Sequence, residues 1–170
     1  MRLTSLVPIF LAAPLASAAN SFWWVNITGF RFNPTDDATT HLTATSVNDC
    51  LTKATSSFAN FNNATNACDV IHSSGSLTAD ESSTAHAKYD PRVLVCYGNQ
   101  EFNGTVVESR QETLGFNECM AKSTSKLNVL SWRGEVSSNC GATVGTCELK
   151  AMTSVSKVGR RGVISCKRLF

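Results

Sequence analysis

At 170 residues, with 42% hydrophobic and 16% charged residues, the chain has the material for one globular domain and its core rather than for several. A formal net charge of +2 leaves the overall balance near neutral, and no stretch beyond the first 18 residues is apolar enough to span a bilayer as a helix. The motifs of serine hydrolases, phosphate loops and zinc proteases are absent, as is any cluster of paired carboxylates.

Residues 1–18 read as a secretory signal peptide. Arg2 is a short basic region, residues 3–15 an apolar one broken by Pro8 and Pro14, and Ala16-Ser17-Ala18 a small-residue cleavage site. The mature chain, 19–170, is then one secreted domain. Its first strand-like run is Phe22-Trp23-Trp24-Val25-Asn26-Ile27, followed by Phe32-Asn33. Val93-Leu94-Val95-Cys96-Tyr97 followed by Phe102-Asn103 repeats that arrangement.

A second similarity follows each of these runs. Val47-Asn48-Asp49-Cys50-Leu51-Thr52-Lys53-Ala54-Thr55-Ser56-Ser57-Phe58 returns as Phe116-Asn117-Glu118-Cys119-Met120-Ala121-Lys122-Ser123-Thr124-Ser125-Lys126-Leu127, with Asn, Cys, Lys, Thr and Ser in register. Val47, Cys50, Leu51, Ala54, Phe58 and Phe61 recur at helical spacing, as do Phe116, Cys119, Met120, Ser123, Leu127 and Leu130. The spacing predicts amphipathic helices over 47–61 and 116–130, each presenting its cysteine inward. Ser46 with Asp49, and Gly115 with Glu118, supply the helix starts. The repeat units are placed at about 21–72 and 92–140. Residues 73–90, small and polar, read as the surface loop joining them, with His86 solvated in it. After Gly159-Arg160-Arg161-Gly162 as a turn, residues 147–170 read as a C-terminal β-hairpin. The expected fold class is α+β: an antiparallel sheet with two helices on one face, a pseudo-twofold strand-helix-strand duplication, stabilised by disulfides.

All seven cysteines, Cys50, Cys68, Cys96, Cys119, Cys140, Cys147 and Cys166, lie in the mature part, which in a secreted chain marks a disulfide framework. The duplication suggests Cys50–Cys68 and Cys119–Cys140, with one more bridge among Cys96, Cys147 and Cys166 and one thiol left over; spacing alone leaves the connectivity open. No Cys-x-x-Cys occurs and His41, His72 and His86 are not spaced as ligands, so neither metal nor cofactor is expected. Asn26, Asn63 and Asn103 begin glycosylation sequons.

Charge is unevenly spread. From residue 149 onward there are six basic residues and no acid, while the rest of the mature chain carries eight basic residues against 13 acidic ones. Lys157, Arg160 and Arg161 are the candidate contacts for an acidic partner, a nucleic acid or an anionic lipid. His41, His72, Glu101, Arg110 and Arg133 are the residues a small secreted ribonuclease would need to bring together for acid-base work and phosphate charge. Trp23, Trp24 and Trp132 are either a binding platform or core.

The Asn48-Asp49-Cys50 helix start and the Trp132-Arg133-Gly134…Cys140 segment give the chain a family resemblance. Together with the leader and the duplicated cysteine-rich pattern, they resemble secreted fungal effectors with the α/β-sandwich fold of the smut-fungus killer toxins, and within those the necrosis-inducing, killer-toxin-related family. Seven cysteines instead of an even set, and the long basic C-terminal stretch, depart from that pattern. The resemblance implies a non-enzymatic protein that binds a host protein, a cell-surface component or a competitor's target, from outside or after entry into host cells. It carries no catalytic residue set.

Overall fold

The computed structural model describes residues 22–34, 39–72, 76–134 and 145–170. The expected signal peptide, residues 1–18, and Cys140 lie outside the described residues. Twelve elements follow in order: β1 (Trp23–Phe32), β2 (Thr39–Thr43), α1 (Val47–Lys53), β3 (Phe58–Asn62), β4 (Ala67–Ile71), β5 (Leu77–Tyr89), β6 (Leu94–Asn103), β7 (Val106–Leu114), α2 (Phe116–Lys122), β8 (Val129–Arg133), β9 (Gly145–Met152) and β10 (Ser156–Arg168).

The strands form two five-stranded antiparallel sheets, β1-β5-β3-β4-β2 and β6-β10-β8-β9-β7, and not the single sheet expected from the sequence. The second order is the first one shifted by five strands. Residues 147–170, expected as a separate hairpin turning at 159–162, instead belong to β9 and β10, which are not neighbours: β8 lies between them and all three complete the second sheet.

The helices are short because their sequences stop being helical early. Ser46 Oγ accepts from Asp49 N at α1's start, and Ala54 turns extended at its end. At α2, Glu118 reaches back to accept from Gly115 N at 3.0 Å, and Ser123 is the extended cap. Phe58, Phe61, Leu127 and Leu130 are buried as expected, but Phe58 and Phe61 lie on β3, Leu130 lies on β8, and Leu127 precedes it. A short strand covered on both faces has no alternation, so its apolar run can fall by chance on a helix's period.

Nor do the helices share one sheet's face. α1 packs on β3, where Cys50, Ala59, Phe61, Cys68 and Val70 form a small core. α2 packs on β8 and β9, and its Phe116 enters the main core, which both sheets share. There Phe32, Phe58, Phe116 and Trp132 close a ring of edge-on and tilted aromatic contacts with centroids 5.0–6.5 Å apart. Trp132 is thus core and not a platform; its Nε1 donates to Leu114 O at 2.8 Å. Trp23 remains exposed at 59%.

The expected linker loop is largely β5, the strand next to β1 in the first sheet. Its small residues suit a position flanked on both edges: Ala85 and Ala87 are fully buried between β1 and β3. Its polar stretch is a bulge. Residues 80–83 stand opposite Gly29 alone, and in the second sheet residues 160–163 stand opposite Asn99 alone. Gly29 and Asn99 both adopt positive φ, 80° and 54°. The Gly159–Gly162 stretch is therefore a bulge inside one long strand and not a hairpin turn; Gly162, at φ 73°, lies against the Phe30 ring. Where the sheets touch, Gly98 has no room for a side chain: a Cβ there would lie 1.8 Å from Asn26 O.

Three disulfides tie the described residues: Cys50–Cys68, Cys96–Cys166 and Cys119–Cys147. The first is as expected. Cys119 bonds Cys147 and not Cys140, because Cys147 faces Trp132 across β8–β9 as Cys68 faces Phe61 across β3–β4. Both helices are thus anchored to the strand at the same place in their sheets.

Candidate functional site

Matching registers let each position in one sheet be compared with its counterpart in the other. Ala87 pairs with Val25 and Phe58 and is buried in the shared core. Its counterpart, Lys167, pairs with Val95 and Val129 and is exposed. Likewise Ile27 corresponds to Tyr97, Ile71 to Lys150, and Ala85 to Ser165. The face that in the first sheet is apolar and packed in the shared core thus carries two lysines in the second: Lys150 is buried against Glu101 and Glu148, while Lys167 is exposed.

That face holds a groove of about 420 Å³. Val95, Tyr97, Phe102, Val155 and Leu169 give it an apolar floor, and Lys157, Lys167 and Arg168 give it cations, with no acid among the lining residues. Lys157 Nζ sits 4.0 Å above the Tyr97 ring, which meets Phe102 edge-on at 5.8 Å. Arg168 is tethered, its Nη1 donating to Ser123 O at 3.1 Å. The Lys167 side chain is exposed and has no hydrogen-bond or ion-pair partner among the described residues. Three cations over an apolar floor can hold a partner that offers acidic groups beside an apolar or planar body.

Of the basic residues expected to meet a partner, only Lys157 lines this groove. Arg160 is held by the Glu101 carboxylate, which Lys150 also engages at 3.3 Å and Arg133 approaches to 3.9 Å. Burial alone would raise the Glu101 pKa, but the Arg160 and Lys150 contacts win and hold it below the usual carboxylate range. Arg161 lies over Phe30, 5.8 Å from its centroid. Paired arginines look available in a sequence; in the bulge they are already engaged. The first sheet carries the counterpart of the Glu101–Arg160 pair with its signs reversed. Arg31, which corresponds to Glu101, sits 3.9 Å from Asp69 and helps lower the pKa of Asp80, which corresponds to Arg160, after the larger effect of the Ser82 and Ser83 hydroxyls.

The residues of a nuclease site do not converge. His41 Nδ1 meets Asp69 Oδ1 at 2.7 Å on one face of β2, while His72 Nε2 meets the Thr40 hydroxyl at 3.0 Å. Adjacent strand residues such as Thr40 and His41 point to opposite faces, so the two imidazoles are separated by the sheet. Arg110 pairs with Glu108 on β7, and Glu101 and Arg133 belong to the second sheet's ion cluster. Among the described residues no group of three His, Cys, Asp or Glu side chains could hold a metal. No helix among them is long and apolar enough to cross a membrane.

His86, expected in solvent, is 1% exposed. It faces Asn26 across β1–β5, Nδ1 to Oδ1 at 2.8 Å, and Nε2 is buried without a partner. Burial pushes its pKa down from 6.5 to about 4. The Asn26/His86 pair occupies the positions that Cys96/Cys166 occupy in the second sheet. Of the sequon asparagines, Asn63 lies in the exposed turn between β3 and β4 and Asn103 is exposed at the end of β6; Asn26 is exposed but engaged by His86.

Lys167, Tyr97 and Phe102 were missed as a site because nothing in the sequence says which sheet face is left uncovered. In the paired sheets the mark of the site is that Lys167 and Lys150 stand where the first sheet has Ala87 and Ile71. The chain matches no protein-family model, and no curated protein is significantly similar to it in sequence.

Proposed function

We propose that this is a secreted, non-enzymatic effector-type protein that binds an acidic host or competitor component on the uncovered face of its second sheet. A small protein cross-linked by three disulfides suits an oxidising, extracellular setting. The observation that carries the binding role is Lys167, with Lys157 beside it, at the edge of an apolar floor whose counterpart in the first sheet is buried. The killer-toxin-like resemblance points the same way, toward binding or toxicity without catalysis. The parallel strand orders and the matched cysteine anchors support descent of both halves from one duplicated unit.

The test is retention of the purified mature protein on an immobilised sulfated polysaccharide as a model polyanion, compared with Lys157→Glu/Lys167→Glu. The wild type is expected to elute at clearly higher salt, and the variant to bind weakly with an unchanged melting temperature. Equal retention of the two would refute the role of this face. The alternative, a small ribonuclease, is tested by RNA hydrolysis: activity abolished in both His41→Ala and His72→Ala would favour it over a binding role.

A further inference from the structure

At the junction of the two halves lies a second groove, of about 490 Å³, which shares no residue with the cationic face. Tyr89, Val93 and Leu94 from the segment joining the sheets line it, with Met120 and Ala121 from α2 and Phe22 ahead of β1. Apolar clefts of this size between structural units are the usual form of a small-molecule site.

Its charges are unbalanced. The one acid in the lining, Asp90, is already paired with Arg92 at 2.7 Å. The one cation, Lys88, has no carboxylate within ion-pair distance among the described residues. Its Nζ donates to Ala54 O at 3.1 Å and lies 4.8 Å from the Trp24 ring centroid. A carbonyl and a ring face orient the ammonium without neutralising it, and the remaining N–H donors are free for a ligand. Partial burial also holds Lys88 below the ordinary lysine pKa, the mark of an ammonium that has given up water without gaining a counter-ion. Withdrawn charges in proteins are ordinarily paired.

We propose that this groove binds an amphiphilic monocarboxylate, its carboxylate paired with Lys88 and its apolar body lying along Met120, Val93 and Leu94. The surface chemistry selects that class. A neutral amphiphile would leave Lys88 unpaired, a cationic one would meet it head-on, and a dianion would bring a second charge to an apolar wall.

Decanoate, decanol and decyltrimethylammonium, titrated below their micellar concentrations by calorimetry, test this on the intact disulfide-bonded protein. Trp24 emission serves as the local reporter, compared with a Trp24→Phe variant. Decanoate is expected to bind at least tenfold more tightly than decanol, with decyltrimethylammonium weakest. Lys88→Gln should weaken decanoate about ten- to a hundredfold, as loss of a hydrogen bond to a charged group does, and leave decanol unchanged. Met120→Trp, at a half-buried position that lines the groove, should fill it and weaken both. Should Lys88→Gln not fold, the comparison of the three amphiphiles on the wild type and on Met120→Trp still decides. Decanol binding as well as decanoate, decanoate binding unaffected by either substitution, or no decanoate binding would each overturn the proposal. Lys157→Glu/Lys167→Glu should leave decanoate binding intact, which separates this site from the cationic face.

Discussion

His86 should make the fold acid-sensitive by an amount that follows from its surroundings. In the unfolded chain the imidazole titrates near 6.5; in the folded protein burial lowers that to about 4. Between those values the unfolded state takes up a proton that the folded state refuses, so the protein loses stability as pH falls from 6.5 toward 4 and keeps it in full above 6.5. A gap of that size, at 1.36 kcal/mol per unit, amounts to about 3 kcal/mol between pH 7.5 and 4. Carboxylates lose their partners over the lower part of the same range, so the histidine's share must be isolated by difference. Urea unfolding of the wild type and of His86→Gln at both pH values provides it. The variant should be the less stable protein at pH 7.5, yet lose about 3 kcal/mol less on acidification. Equal losses in the two proteins would refute the assignment of a neutral, desolvated imidazole at this position.

Other outcomes follow from the paired sheets. Asn26→Cys/His86→Cys should form a cross-strand disulfide where Cys96–Cys166 lies in the second sheet, detectable as a fourth bridge by mass spectrometry; closing a loop of that length should add about 4 kcal/mol to stability over the reduced form. Peptide mapping of the oxidised protein should recover Cys119 joined to Cys147, and recovery of Cys119 joined to Cys140 would contradict the second sheet's register. Glu101→Gln removes the carboxylate shared by the buried Lys150 and by Arg160; Lys150 keeps Glu148 at 3.0 Å and Arg160 is partly exposed, so the cost should be about 1–3 kcal/mol in urea unfolding, still more than for Glu108→Gln on the edge strand. Gly98→Ala should be strongly destabilising, because its methyl group would overlap the Asn26 carbonyl of the facing sheet.

The local features legible in the sequence were those set by short-range chemistry. Ser46 with Asp49 and Gly115 with Glu118 mark where the helices begin, and the recurring cysteine places one inward-facing anchor on each. What was not legible depends on partners distant in the chain. Phe58 and Phe61 fit a helical period as well as a strand buried on both faces, and only the strands around β3 decide between them. The small polar residues of β5 look like a linker until β1 and β3 enclose them. Gly159 and Gly162 announce an unusual backbone, but a turn and a bulge ask for the same residues. The candidate face was half legible: its basic residues were visible as a cluster, yet which of them were free depended on Glu101, nearly 60 residues upstream of Arg160.

The reversed ion clusters bear on how such a chain finds its own pairing. Two halves with the same strand order offer β1 a wrong mate in β10, and β6 a wrong mate in β5. The correct pairings bring Arg31 near Asp80 and Glu101 onto Arg160. The exchanged pairings would set Arg31 beside Arg160 and Glu101 beside Asp80, like charge against like at the point where each long strand bends. The same exchange would place His86 opposite Cys96 and leave both cysteines of that bridge without a mate. Reversed polarity and a disulfide confined to one sheet thus act as a key between halves, biasing the nascent chain against crossed strands and two neighbouring molecules against trading them.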